Sequence, residues 1–425
     1  MKRRDFLKAL GGASLAIPGL LTQSGCSPAS IITDPSTGLS LGYVSGDVSA
    51  DSALVWLRAE AGSRIALQVG EDPSLRQFIS TPAVLVDSGA DHSAAIPLDK
   101  LLPATRYYFR ALVSGKAPGP IASFITAPAE TDERKVVFCF SGDTRESYQP
   151  FTIMQAVQAQ RPDFFLHLGD TIYADRGGSA RRLEEFWQKY RANRSDPFSQ
   201  NFFSTTSVYA VWDDHEVEDD YLPGDPLAPI GRKAFLDYWP IRRPTSEPER
   251  IYRSVRWGRA MELFLLDSRQ YRDPKRTTML GRKQHEWLFD TLAQSTATFK
   301  FIATTVPMAG GGSDRWDGYP TERKELLEYI SQKKLAGVFF LSADLHYAAV
   351  TKIPKSSGLI DITAGPLAAP LNRITNGTAK RFEYFLAENF NFVKVTVDPK
   401  NNDNQALIEF IDQNNRVFHT RIIRA

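Results

Sequence analysis

Cysteine is nearly absent: Cys26 and Cys139 are the only two in 425 residues, so no disulfide framework holds the fold, and stability has to come from packing or metal. No apolar run approaches the roughly 18 residues of a membrane-crossing helix. An excess of one charge is also missing. Lys and Arg number 51 against 49 Asp and Glu, a net +2, which gives no support for a nucleic-acid surface built on bulk charge. There is no internal repeat. What remains is 42% hydrophobic and 24% charged, a balance that excludes a disordered chain and can bury a real core. At roughly 100 to 200 residues per domain, the length suits two domains or one large domain with an appended module.

The chain opens Met1-Lys-Arg-Arg-Asp-Phe-Leu-Lys8 and continues in a short apolar stretch from Gly11 to Thr22, the layout of an export signal rather than a membrane span. Arg3, Arg4, Phe6, Leu7 and Lys8 resemble the twin-arginine leader at every position of its pattern. That resemblance implies export of a folded protein, already loaded with its cofactor, to the periplasm or cell exterior by the twin-arginine machinery. Cys26 sits where a lipoprotein would be processed, except that Gln23 replaces an apolar residue, so lipid anchoring at Cys26 stands beside simple cleavage.

Three regions follow: an export signal at 1–29, a β-sandwich at 30–129 and a catalytic domain at 130–425. Ser52-Ala-Leu-Val-Trp-Leu-Arg58 is a β-branched and aromatic strand, and the region has turn residues but no convincing helix. Leu102-Pro-Ala-Thr-Arg-Tyr107 resembles a stretch of fibronectin type III modules. After Glu133, apolar strands (136–140, 164–168, 208–212, 263–266, 301–306 and 338–341) alternate with amphipathic helices, the pattern of an α/β layer architecture. Leu183, Phe186, Trp187 and Tyr190 fall on one helical stripe, and Leu326, Leu327 and Ile330 on another; both read as core. Cys139 and His167 fall within strands and are expected to be buried.

Each strand ends in a polar cluster: Ser141-Gly-Asp143, Gly169-Asp170, Asp213-Asp-His-Glu216, Asp267-Ser-Arg269 and Ser342-Ala-Asp-Leu-His346. Ligands of open α/β sheets bind beyond the carboxyl ends of the strands, so the clusters should converge. A single Asp after a strand is commonly a turn former or helix cap. Carboxylates, a tyrosine and histidines gathered at several strand ends are what a site for two hard or borderline cations requires.

In order along the chain, Asp143, Gly169-Asp170-x-x-Tyr173, Asp214-His215-Glu216 and Asp344-x-His346 resemble the binuclear metallophosphoesterases, the purple acid phosphatase-like superfamily. Trp212-Asp-Asp-His-Glu-Val217, Leu266-Asp-Ser-Arg-Gln-Tyr-Arg272, Met279-Leu-Gly281 with Gln284, and Arg315-Trp-Asp-Gly-Tyr-Pro320 are similar to the PhoD-type alkaline phosphatases. The resemblance implies a fibronectin III or Ig-like all-β sandwich followed by a four-layer α/β metallophosphoesterase domain. It also implies hydrolysis of phosphate monoesters, diesters or both by a metal-activated water. Asp143, Asp170, Tyr173 and His346 would hold one ion, and Asp170, Asp214 and Asp344 the second, with Asp170 bridging. Tyr173 points to Fe³⁺, which Ca²⁺ accompanies in PhoD-type enzymes; Mn or Zn are alternatives. His215 would contact the phosphate or protonate the leaving group, oriented by Glu216 or Asp213, and Arg145 and Arg269 would clamp phosphate oxygens.

Two positions depart from the pattern. Asp143 stands where PhoD-type enzymes generally have cysteine, a carboxylate for a thiolate. Val306-Pro-Met-Ala309 ends in alanine where purple acid phosphatases place a histidine ligand, leaving the second site open and oxygen-rich, which favours Ca²⁺ or Mn²⁺ over Zn²⁺. Two other readings fit parts of the sequence: a dedicated phosphodiesterase or phospholipase-like enzyme on the same metals, and a binding protein with a vestigial site.

Overall fold

The computed structural model describes residues 35–310, 312–372, 382–400 and 404–425. The leader motif and Cys26 lie outside the described residues. Among those described, no helix is long and apolar enough to cross a membrane.

Runs such as Phe164–Leu168 are apolar on both faces, as strands buried between layers have to be. Val136–Thr144, Phe164–Leu168 and Ser207–Val211 form the parallel centre of a ten-stranded sheet. Met261–Leu265, Phe299–Ala303 and Val338–Ser342 run parallel in a seven-stranded sheet. Alternation decides which side chains meet. Phe138 and Phe164 of the first sheet stack at 4.9 Å, and Phe138 meets Phe301 of the second edge-on at 5.4 Å. Phe165, pointing the other way, meets Phe202 of helix Pro197–Phe203 at 5.5 Å. Behind the second sheet, Phe264, Ile302 and Phe340 pack with Leu288, Leu292, Leu326 and Ile330 of helices Gly281–Gln294 and Pro320–Gln332. Each of these buried aromatics contributes about 2 kcal/mol of burial. The result is helix, sheet, sheet, helix: the four layers expected.

The helical stripes fall where expected, with Phe186 and Tyr190 buried in helix Leu183–Arg194 and Trp187 packed partly against the same core. His167 and Cys139 are buried.

Toward the N-terminus, Leu39–Gly46, Ser52–Ala59 and Ser93–Asp99 form one face of a sandwich whose other face includes Arg64–Gly70, Arg106–Val113 and Ala122–Ile125. Tyr43, Val55, Leu57, Leu67, Phe109 and Phe124 share its core. The first face is not a separate sheet: Gly46 pairs with Val208, so the ten-stranded sheet runs across the 129/130 boundary drawn from the sequence. Gly46 permits that junction, because a Cβ there would lie 2.7 Å from Pro240 Cγ and 2.8 Å from the Val208 carbonyl.

Candidate metal centre

The strand ends do converge. Asp143 lies inside its strand, which runs past the expected 140 to Thr144 because Pro366–Ala368 pairs with Gly142 and Thr144. Asp170 follows its strand directly after Gly169. A Cβ on Gly169 would come within 2.5 Å of Asp213 Cβ, so glycine lets the 169–170 and 213–216 turns touch. Asp143, Asp170, Asp344 and His346 all have left-handed backbones, with φ of 65°, 53°, 63° and 56°. A non-glycine residue pays for that conformation with about 1 kcal/mol or more, a strain found chiefly at functional sites.

Ligand atoms of Asp143, Asp170 and His346 lie within 4.8 Å of one another, as do those of Asp170, Asp214 and His215, and those of Asp213, Asp214 and Asp344. His346 Nδ1 is 2.6 Å from the Pro370 carbonyl. Only an N–H can face a carbonyl, so in the neutral ring Nε2 carries the lone pair, and it points at Asp143 Oδ1 and the Tyr173 hydroxyl, both 3.2 Å away. The remaining Asp143 oxygen, Oδ2, is buried without a hydrogen-bond partner, and so is Asp213 Oδ2.

Crowded like charges show in the acidities. Burial, then Asp214, Asp213 and Asp143, push the Asp170 carboxyl well above the usual range. Burial and Asp213 likewise raise Asp344 against the pull of Arg315. Burial raises the Tyr173 phenol, and the carboxylates around it, Asp170 first, raise it further. Asp214 differs: burial opposes ionisation, but Arg269 and His215 outweigh it and hold its pKa low. Unpartnered buried carboxylate oxygens, like charges in contact and a histidine ring nitrogen among them fit cations, and oxygen donors dominate the set.

His215 lies beside the cluster, its ring 4.3 Å from that of Tyr173. Its Nδ1 is 2.8 Å from Asp175 Oδ1. Burial alone would lower its pKa, but Asp175, Asp214 and Asp219 lift it to about 9. The sequence reading expected Glu216 or Asp213 in the orienting role. Glu216 instead accepts the backbone N–H groups of Asp170 at 3.0 Å, Thr171 at 2.6 Å and Asp213 at 2.8 Å, which fixes both turns. Asp213 accepts from Arg269 Nε and, at 2.9 Å, from the Thr305 hydroxyl. Asp175 was missed, although it stands five residues after Asp170 in the same loop.

The two arginines diverge. Arg145 is half-buried, with its guanidinium carbon 5.8 Å from the Tyr173 ring centroid. Arg269 is fully buried and encircled by carboxylates: Asp213 on Nε, Asp314 at 2.8 Å on Nη1 and Asp214 at 3.5 Å from Nη2. An arginine so enclosed presents no free fork to a phosphate, which departs from the clamp role expected of it. Arg315, the first residue of the 315–320 motif, is partly exposed, with Nε 3.1 Å from Asp344 Oδ2. Asp267 works inside the scaffold, accepting Trp212 Nε1–H at 2.9 Å while Gln284 bonds its backbone on both sides, each at 2.8 Å.

Residues 137–395 match the PhoD-like phosphatase family, and residues 25–128 match the PhoD-like phosphatase N-terminal domain. Alkaline phosphatase D of Bacillus subtilis (strain 168) is 25% identical over 415 residues, covering 81% of this chain and 71% of its own. A solved structure of PhoD superposes with a TM-score of 0.79 at 21% identity, over 91% of this chain and 89% of that one. The purple acid phosphatase PPD1 from yellow lupin (Lupinus luteus) seeds gives 0.68 at 15% identity, over 90% and 74%. These last two likenesses concern the fold. With the family match spanning most of the chain and the acidic cluster at its strand ends, the protein belongs to the PhoD-like phosphatases and is a phosphoric ester hydrolase.

Proposed function

We propose that the chain is an exported phosphatase that uses two metal ions to hydrolyse phosphate monoesters, diesters or both. The observation that carries this reading is the sharing of Asp170 between two ligand groups, one with Asp143 and His346 and one with Asp214 and His215. Asp143, Asp170, Tyr173 and His346 would hold the first ion, with the phenolate of Tyr173 favouring Fe³⁺. Asp170, Asp214 and Asp344 would hold the second, an oxygen-rich set suited to Ca²⁺. When bound, the ions supply positive charge to the phosphoryl oxygens and acidify water.

The chain's own groups do the rest. His215, its Nδ1–H held by Asp175, offers the other nitrogen as a proton donor to the leaving alcohol, and the Asp175 carboxylate supports the charged ring. Arg145 is placed to take phosphate oxygens, and the partly exposed Arg315 is a second donor. Arg269 acts beneath the site, holding Asp213 and Asp214 in position. The test is hydrolysis of p-nitrophenyl phosphate and bis-p-nitrophenyl phosphate before and after chelation. Loss of both activities on chelation, with recovery on adding metal, is expected. Hydrolysis that survives metal removal would overturn the reading. The export half is tested by replacing Arg3 and Arg4 with lysine: precursor should remain in the cytoplasm, and normal export would refute the route.

A further inference from the structure

Next to the turns that carry Asp143 and Asp170 lies a small cavity of about 10 Å³, lined by Thr144, His167, Thr171, Arg194, Ser199 and Trp239 among others. Its lining carries unpartnered polar atoms, the Tyr190 hydroxyl among them. Arg194 Nη1, Trp239 Nε1, Ser199 Oγ and His167 Nδ1 are all buried without a hydrogen-bond partner. A guanidinium and an indole N–H can only donate.

Arg194 is the unusual member. It is 3% exposed and lies over three rings, with its guanidinium carbon 4.0 Å from Trp239, 4.8 Å from Phe203 and 5.5 Å from Trp56. One nitrogen, Nη2, donates to the Tyr238 carbonyl at 3.2 Å. Among the described residues no carboxylate pairs with it; its ionisable neighbours are the phenols Tyr190 and Tyr238. A buried charge without a counter-charge is strongly destabilising, and the aromatic faces offset only part of that. Burial lowers the Arg194 pKa to about 9, so it is still cationic at neutral pH.

We propose that this cavity is a binding site for a single halide ion, chloride in a cell, held by Arg194, Trp239 and Ser199 as the counter-charge of Arg194. The cavity is small, about 10 Å³, and the unpartnered donors of Arg194 and Trp239 call for an acceptor that carries the charge opposite to the guanidinium. The site is independent of the metal reading, yet structurally coupled to it. Asn193 Nδ2 donates to the Thr144 carbonyl at 2.7 Å, and Thr144 Oγ1 donates to the Thr171 carbonyl at 3.2 Å, joining the Arg194 helix to the residues that follow Asp143 and Asp170.

The test is thermal unfolding of the full metal-loaded protein in sodium chloride against sodium gluconate at constant ionic strength, with anomalous diffraction from bromide-soaked crystals. A saturable rise in Tm of about 3 °C with chloride or bromide is expected, with an anomalous peak between Arg194 and Trp239. Arg194→Met should abolish the halide response. Ser199→Ala, a milder change that keeps the buried cation, should move its midpoint several-fold toward higher halide. Equal Tm in the two salts with no bromide peak, as one ordinary water would give, overturns the proposal. So does a halide response that persists unchanged in Ser199→Ala and Arg194→Met.

Discussion

At the scale of single residues, the positions that were legible are those where chemistry and strand periodicity agree. Asp143, Asp170 and Asp214 lie at the ends of parallel strands of one sheet, and Asp344 and His346 follow a parallel strand of the other, so the two packed sheets bring them together. Asp175 was not legible, since nothing in a loop sequence says which carboxylate will reach a histidine 40 residues away. The surroundings of Arg269 were hidden for the same reason: the three acids around it come from two other loops. Asp175→Asn should remove the main support of the His215 cation and so lower its pKa. Because the protonated ring is the donor, the alkaline limb of the kcat profile should move to lower pH, with kcat at pH 8.5 reduced about tenfold. An unmoved limb would leave Asp175 a purely structural role. At Asp143, exchange for cysteine keeps an anionic ligand. Asp143→Cys should retain metal, with a shifted preference among ions and altered visible absorption. Asp143→Ala should lose activity at least about 100-fold, and near-normal turnover in that variant would remove Asp143 from the ligand set.

Among elements, strand cores could be read from composition, but strand ends and sheet edges could not. The 136–144 strand outran its apolar stretch because Pro366–Ala368, more than 200 residues later, supplies its partner. The sandwich was visible as strands and turns. Its fusion to the catalytic sheet rests on one pair, Gly46 with Val208, that carries no local signal. Gly46→Val should therefore strain the junction against Pro240 and the Val208 carbonyl, costing about 2 kcal/mol. A lower urea midpoint with unchanged metal content in the folded fraction is expected. An unshifted midpoint would show that the sheet does not depend on that close approach.

For the whole molecule, the fold and the proposed cations depend on each other. Carboxyls whose pKa is raised on folding hold protons that the unfolded chain has already released. Stability from that source is complete below the ordinary Asp value of 3.8 and is lost as pH climbs through the raised values, to about 8 for Asp344. Chelated protein should thus show a Tm that falls between those limits, while metal-loaded protein, whose ions offset the repulsion, should fall less. Parallel curves would mean that the carboxylates do not depend on cations. The most direct measurement is metal content per chain, alongside phosphate ester hydrolysis, for the parent protein and Asp170→Asn. The parent should carry about two ions and the variant far fewer, with turnover reduced by at least about 100-fold, because the shared ligand loses an anionic oxygen. An Asp170→Asn protein with its full metal content and unchanged turnover would contradict the two-ion site.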